Sequence, residues 1–146
     1  MLLEKLREDM KAALKAGEKQ RLGVIRMLIS ELNNASIAAS GDLDEAEEQR
    51  VLTSYAKKRR EVMESARDGG REDLVASEKF EHEVTMSYLP EQLSEADLRV
   101  IVEKHVEAVD ASGNQAFGQI MKAVMAEVGA GADGKVVSAL VREVLA

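Results

Sequence analysis

The stretch Met86-Ser87-Tyr88-Leu89-Pro90-Glu91-Gln92-Leu93-Ser94-Glu95-Ala96-Asp97 holds the only proline of the 146-residue chain. Its reading decides how the sequence divides. Proline lacks the N–H that a helix interior must donate, and it disfavours the helical conformation in the residue before it, so Leu89-Pro90 closes a helix. Ser94-Glu95-Ala96-Asp97 reads as a capped helix start, with Asp97 in the place usually held by Glu. One helical unit therefore ends near Pro90 and a second begins at about Leu93. The expected domains are residues 1–92 and 93–146.

Upstream of this boundary, apolar residues recur at threes and fours, the period of a helix with one buried face. A helix runs from about Glu72 to Tyr88. The one before it starts at Asp44, with an acidic first turn (Glu45, Glu47, Glu48) that suits the helix dipole. Its stripe is Val51, Leu52, Tyr55, Val62 and Met63, and Asp68-Gly69-Gly70 ends it. Leu22, Ile25, Leu28, Ile29 and Leu32 mark another helix, reaching about Ala39 before a turn at Ser40-Gly41-Asp42. Leu2, Leu3, Leu6, Met10, Ala13 and Leu14 mark the first, which Gly17 terminates.

Downstream, Leu98, Ile101, Val102, His105 and Val109 share a face, and Asp110 to Asn114 reads as a polar turn. Phe117, Ile120, Met121, Val124, Met125 and Val128 form the next stripe, ended by Gly129-Ala130-Gly131. Asp133 can cap a last helix carrying Val136, Val137, Leu140, Val141 and Val144. No segment alternates as a strand would. The expected fold is all-α: an N-terminal four-helix unit followed by a small three-helix C-terminal domain.

Composition removes several kinds of function. There is no cysteine, which excludes disulfides, zinc-thiolate sites, iron–sulfur clusters and thiol nucleophiles. With no Trp, two Phe and two Tyr, there is no aromatic platform for stacking single-stranded bases. Net charge is −7: residues 1–92 hold 15 basic and 19 acidic side chains, residues 93–146 hold 5 and 8. The start, MLLEKLREDM, lacks the apolar core of a signal peptide, and no run approaches a membrane span, so a cytoplasmic location without membrane contact is expected.

The segment from Gly129 to Lys135 superficially matches two phosphate-binding patterns, G-x-G-x-x-G and the P-loop. Both need a preceding strand, and here a helix precedes; Val136 also replaces the Ser or Thr that holds magnesium. The segment reads instead as a turn between helices. Lys57-Lys58-Arg59-Arg60 is the one basic run, but consecutive helical residues point about 100° apart, so it makes no flat phosphate patch. Lys57, Lys58 and Arg60 are expected in solvent. Arg59 falls on the apolar stripe, where an unpaired charge is costly. Glu78 and Glu81 lie on the apolar face of the following helix. An internal network joining Arg59 to Glu78, Glu81 or both is expected, with the planar guanidinium holding a carboxylate through two parallel bonds.

His82 and His105 stand in no metal or catalytic spacing, and His105 reads as a partly buried structural residue. Ser87, Ser94 and Ser138 lack a nucleophile setting. No catalytic residue, metal ligand or cofactor site is assigned. Met121 and Met125, with Phe117 and Val128, read as core of the C-terminal unit. The alternative is an apolar face that grips a protein partner.

The ordered set of residues nevertheless has a familiar form. It runs through Asp9-Met10-Lys11, Ala16-Gly17, Arg21-Leu22, Arg26 and Leu28, then Lys58, Arg60 and Glu61. It continues with Gly70-Arg71-Glu72-Asp73-Leu74, Glu78, Glu81, Tyr88-Leu89-Pro90, Gly118, Met121 and Ala132-Asp133-Gly134. In this set the chain resembles the YqeY-like family (GatB/YqeY), relatives of the tail domain of the tRNA-dependent amidotransferase B subunit. The resemblance covers nearly the whole chain. It implies a helical N-terminal domain, a three-helix C-terminal domain, and an association with glutamine-dependent carbon–nitrogen ligase activity. The kinase-like and amidase parts of the amidotransferase have no counterpart here. The expected role is therefore an amidotransferase-like accessory protein, tRNA-associated and non-catalytic on its own. Its RNA-binding residues would be Lys122, Gly131, Asp133, Gly134, Lys135 and Arg142, the glycines offering backbone N–H groups at a helix start. The alternative is a helical protein–protein interaction module without RNA.

Overall fold

The structure, a computed structural model, describes residues 1–109 and 113–146. It is all-α, with no strand among the described residues. Two compact units divide the chain, Met1–Pro90 and Glu91–Ala146. The first holds α1 (Leu2–Ala16), α2 (Lys19–Ala39), α3 (Glu45–Asp68) and α4 (Glu72–Met86). The second holds α5 (Glu95–Ala108), α6 (Gly113–Val128), a 3₁₀ turn at Gly129–Gly131, and α7 (Gly134–Leu145). The polar turn expected from Asp110 to Asn114 falls largely on residues 110–112, outside the described residues, and α6 has already begun at Gly113.

Local chemistry sets the helix ends of the first unit. After α1, Gly17 takes a left-handed φ of 72°; its N–H reaches the Leu14 carbonyl, and the Glu18 N–H reaches that of Ala13. This paired closure satisfies carbonyls that the helix end would otherwise strand. α2 ends in the same way, but its left-handed residue is Ser40 (φ 57°), not the glycine beside it, and the Ser36 hydroxyl donates to the Gly41 carbonyl. α3 opens with a reciprocal cap. The Asp44 carboxylate accepts from the Glu47 N–H, and the Glu47 carboxylate accepts from the Asp44 N–H, both at 2.8 Å.

α1 packs on α2 and α3, α2 on α3 and α4, and α3 lies most extensively against α4. Leu6, Ile25, Leu28, Leu32 and Leu52 are wholly buried at their centre, with Tyr55 and Val84 beside them. Each such side chain contributes about 1.5–3 kcal/mol by leaving water.

In the second unit all three helices pack against one another. Leu98, Val102, Ala116, Ile120, Val124, Val137, Leu140 and Val141 form its core. Phe117, Met121, Met125 and Val128 are partly buried against that core. Residues 91–93 are tied to this unit, since the Gln92 amide donates to the Ala130 carbonyl and the Leu93 N–H to that of Gly131, each at 2.8 Å.

Candidate functional site

The residues that bear on function in the second unit gather around α7. Asp133 sits in extended conformation just before the helix, and its carboxylate accepts from the Lys135 N–H at 3.0 Å. That satisfies one of the N–H groups a helix start leaves without a partner. Gly131 is buried, and Gly134 is the first residue of the helix. The glycine-rich segment thus follows a helix and a 3₁₀ turn rather than a strand.

Lys122, Lys135 and Arg142 are all exposed. Lys135 and Arg142 stand seven positions apart on α7, which places them about 20° apart around the helix and about 10 Å apart along it. They share a face. The Arg142 guanidinium lies over the Phe117 ring, 5.1 Å from its centre. Lys122 is five positions beyond Phe117 on α6, about 140° further round, so it does not share the face that Arg142 covers. The other cations of this unit are neutralised. Arg99 lies 3.0 Å from Glu143 and 3.9 Å from Glu95, and Lys104 bonds to Glu127. The Lys104 bond holds the Glu127 carboxyl below its ordinary range, with His105 Nε2, 3.3 Å from Glu127, adding to the effect. Among the described residues no carboxylate pairs with Lys122, Lys135 or Arg142.

In the first unit, Arg59 Nη1 lies 3.3 Å from Glu78 and 3.6 Å from Glu81. The two parallel bonds expected of the guanidinium are replaced by another geometry. The group lies over the Tyr55 ring, 5.0 Å from its centre, and Nη1 is 3.3 Å from each oxygen of Glu78. Arg59 Nε and Glu78 Oε2 are buried without hydrogen-bond partners among the described residues. Burial, and then the neighbouring Glu78 charge, push the Glu81 carboxyl up. Lys58 and Arg60 are exposed, whereas Lys57 is half-buried. His82 is held below its ordinary value, first by burial and then by Arg60, so it stays neutral near pH 7.

Three features were not singled out from the sequence. Tyr88 donates its hydroxyl to Asp9 at 2.5 Å, joining the end of the first unit to α1. Buried Glu48 accepts from the N–H groups of Leu2 and Leu3. A cleft of about 470 Å³ between α1 and α2 is lined by Arg7, Met10, Lys11, Arg26, Ile29 and Ser30. Met10, Lys11 and Arg26 stand in the family-like set, but nothing in the sequence says that they meet, and the i,i+4 pair Arg7 and Lys11 reads in isolation as a solvated helix face. Among the described residues no three His, Asp or Glu side chains converge as a metal site, and no helix is long and apolar enough to cross a membrane.

Known proteins match the chain along its length. It is 27% identical to a protein of Pyrenophora tritici-repentis named "Altered inheritance of mitochondria protein 41, mitochondrial", over 99% of this chain and 81% of that protein. The protein of the same name from Saccharomyces cerevisiae (strain YJM789) is 30% identical over 84% of this chain and 68% of its own length. These names overturn the expectation of a cytoplasmic location, since the relatives are mitochondrial proteins by name. That expectation rested on the residues at the start of this sequence, and the relatives are longer than the stretch they share with it. The model of the family described as "Yqey-like protein" matches residues 3–145, and the chain belongs to that family.

Proposed function

We propose that the chain is a non-catalytic accessory protein that associates with tRNA through its C-terminal helical unit. The observation that carries this reading is the shared α7 face of Lys135 and Arg142. Both are exposed and free of carboxylate partners among the described residues, while Arg99 and Lys104 are neutralised within the same unit. Lys122 adds a further exposed cation on α6. Gly131, Asp133 and Gly134 shape the start of α7. The Asp133 carboxylate accepts from the Lys135 N–H and places a negative charge at the helix start, so the proposed phosphate contact falls to the side chains. Recognition would be by shape and backbone charge, because the unit has no aromatic stack to read bases.

A non-catalytic role agrees with the serines. Ser87 donates to the Val84 carbonyl, and Ser94 caps α5 by accepting from the Asp97 N–H at 3.1 Å. Among the described residues neither hydroxyl is bonded to a basic side chain, as activation for acyl or amide transfer requires. The carbon–nitrogen ligase activity associated with the family would then belong to a larger assembly.

The test is binding of total tRNA by the whole chain across a salt series, with the K135E/R142E double variant beside it. Binding should fall steeply with salt. The variant should bind more weakly, with a log–log salt slope smaller by about 0.9 for each phosphate contact removed. Equal binding and equal slope in the variant would refute this surface. A second reading, a helical protein-interaction module, draws on apolar exposure in the same unit, where Val100 is 66% and Val136 50% exposed. Absence of tRNA binding at low salt would favour it.

A further inference from the structure

We propose that the cleft between α1 and α2 docks an acidic amphipathic helix of a partner protein. Met10 and Ile29 give the cleft an apolar floor, while Arg7 and Lys11 from α1 and Arg26 from α2 give it a cationic rim. Ser30 adds a hydroxyl on the α2 side. One turn beyond Met10, the apolar line continues at Leu14, which is 61% exposed.

The charges mark this cleft as built for an anion. The protein carries net charge −7, yet three cations converge here. Among the described residues Arg7, Lys11 and Arg26 form no ion pair, although their neighbours do: Lys5 with Asp9 at 3.2 Å and Arg21 with Glu18 at 3.9 Å. The second cleft, between α2 and α3, is different in kind, because Glu31 stands among its cations Arg50 and Lys58.

The shape selects the class of anion. The short turn at Gly17 makes α1 and α2 antiparallel neighbours. A third helix can lay apolar residues spaced at i, i+3 and i+4 into the groove between two such helices. Acidic residues flanking that stripe would meet Arg7, Lys11 and Arg26. A nucleic-acid backbone would satisfy the rim but leave Met10, Leu14 and Ile29 without apolar cover, and the cleft has no aromatic ring on which a base could stack.

The test uses the full chain and a fluorescent synthetic peptide about 15 residues long, long enough to form a helix on docking. It carries Leu at i, i+3 and i+4 with Glu on either side. One control peptide has the same composition with the leucines scattered; the other has Lys in place of Glu. Anisotropy should show the acidic amphipathic peptide binding about tenfold or more tighter than either control, with affinity falling as salt screens the contacts. The R7E/R26E variant alters two exposed residues, so it should retain the parent's melting temperature. It should lose about tenfold or more in affinity for the acidic peptide and gain affinity for the Lys peptide. Equal affinity of parent and variant for the acidic peptide would overturn the proposal. So would indifference to where the leucines stand. If R7E/R26E weakens tRNA binding but leaves peptide binding alone, the cleft is a nucleic-acid surface and the proposal fails. The K135E/R142E variant should bind the acidic peptide as the parent does, which keeps this result separate from the fate of the tRNA reading.

Discussion

Tyr88 and Asp9 show how much a single contact can carry. The Tyr88 hydroxyl donates to the Asp9 carboxylate across 79 positions of sequence. That bond is the main cause holding the Asp9 carboxyl below its ordinary range, with Lys5 adding to it and partial burial opposing it. Burial first, and then Asp9, raise the Tyr88 phenol, so it remains a donor through neutral pH. A carboxyl with a lowered folded pKa stabilises the fold above its unfolded value, about pH 4, and loses that contribution as pH falls through the folded value. Y88F keeps the ring and removes the bond, and it should cost about 1–2 kcal/mol at pH 7. Urea melts should show the cost shrinking as the pH is lowered below about 4. A cost that stays constant down to acid pH would mean that ring packing, not the bond, is what Y88F disturbs. Glu81 behaves in the opposite sense. Its raised folded value means that its ionisation works against the fold, and stability is lost as pH rises through that value. The proximity of Arg59 to Glu78 and Glu81 was legible, because an arginine on an apolar stripe needs an anion and only one neighbouring helix face offered two. The Tyr88–Asp9 bond was not, since Asp9 reads locally as a solvated residue one turn from Lys5.

At the scale of elements, helix starts separate what is local from what is not. Asp44, Ser94 and Asp133 each cap the helix that follows them, and each was readable because the donors lie two or three residues away. α1 has no side-chain cap of its own. Its first N–H groups, those of Leu2 and Leu3, instead donate to Glu48 of α3, at 3.4 and 3.1 Å. In sequence Glu48 looks like one more acid in the first turn of α3, beside Glu45 and Glu47. In the structure it is 3% exposed, whereas Glu45 lies in solvent. E48A should therefore destabilise the protein by about 1–3 kcal/mol, because two donors lose their partner and a buried site is emptied. E45A should stay within about 0.5 kcal/mol. Thermal melts of both variants, with amide exchange at Leu2 and Leu3, distinguish the two roles. Equal effects would reduce Glu48 to a dipole contribution.

At the scale of the whole molecule, the legible part was the patterning. Seven apolar stripes at helical spacing, one proline and a few glycine stops are enough to specify an all-α chain, because each helix must bury its own stripe. The cationic cleft escaped that reading for a related reason. Arg7 and Lys11 lie on α1 and Arg26 on α2, and only the packing of the two helices brings them together. Lys135 and Arg142 lie on one helix two turns apart, so their shared face can be read from the sequence alone. The two proposed surfaces fall in different compact units, each with its own core: Leu6, Ile25, Leu28, Leu32 and Leu52 in one, Val102, Ile120, Val124, Val137 and Val141 in the other. A core of that kind should suffice for autonomous folding. Residues 1–90 and 91–146, expressed separately, should each give a helical spectrum and a cooperative melt, and the two spectra should sum to that of the whole chain. The shorter piece is in the size range where burial barely exceeds chain entropy, so its melting temperature should be the lower one. An unfolded 91–146 would mean that its core needs residues from outside it. If both pieces fold, tRNA binding should follow residues 91–146, and binding of the acidic peptide should follow residues 1–90. Either activity appearing on the other piece would reassign it to that unit.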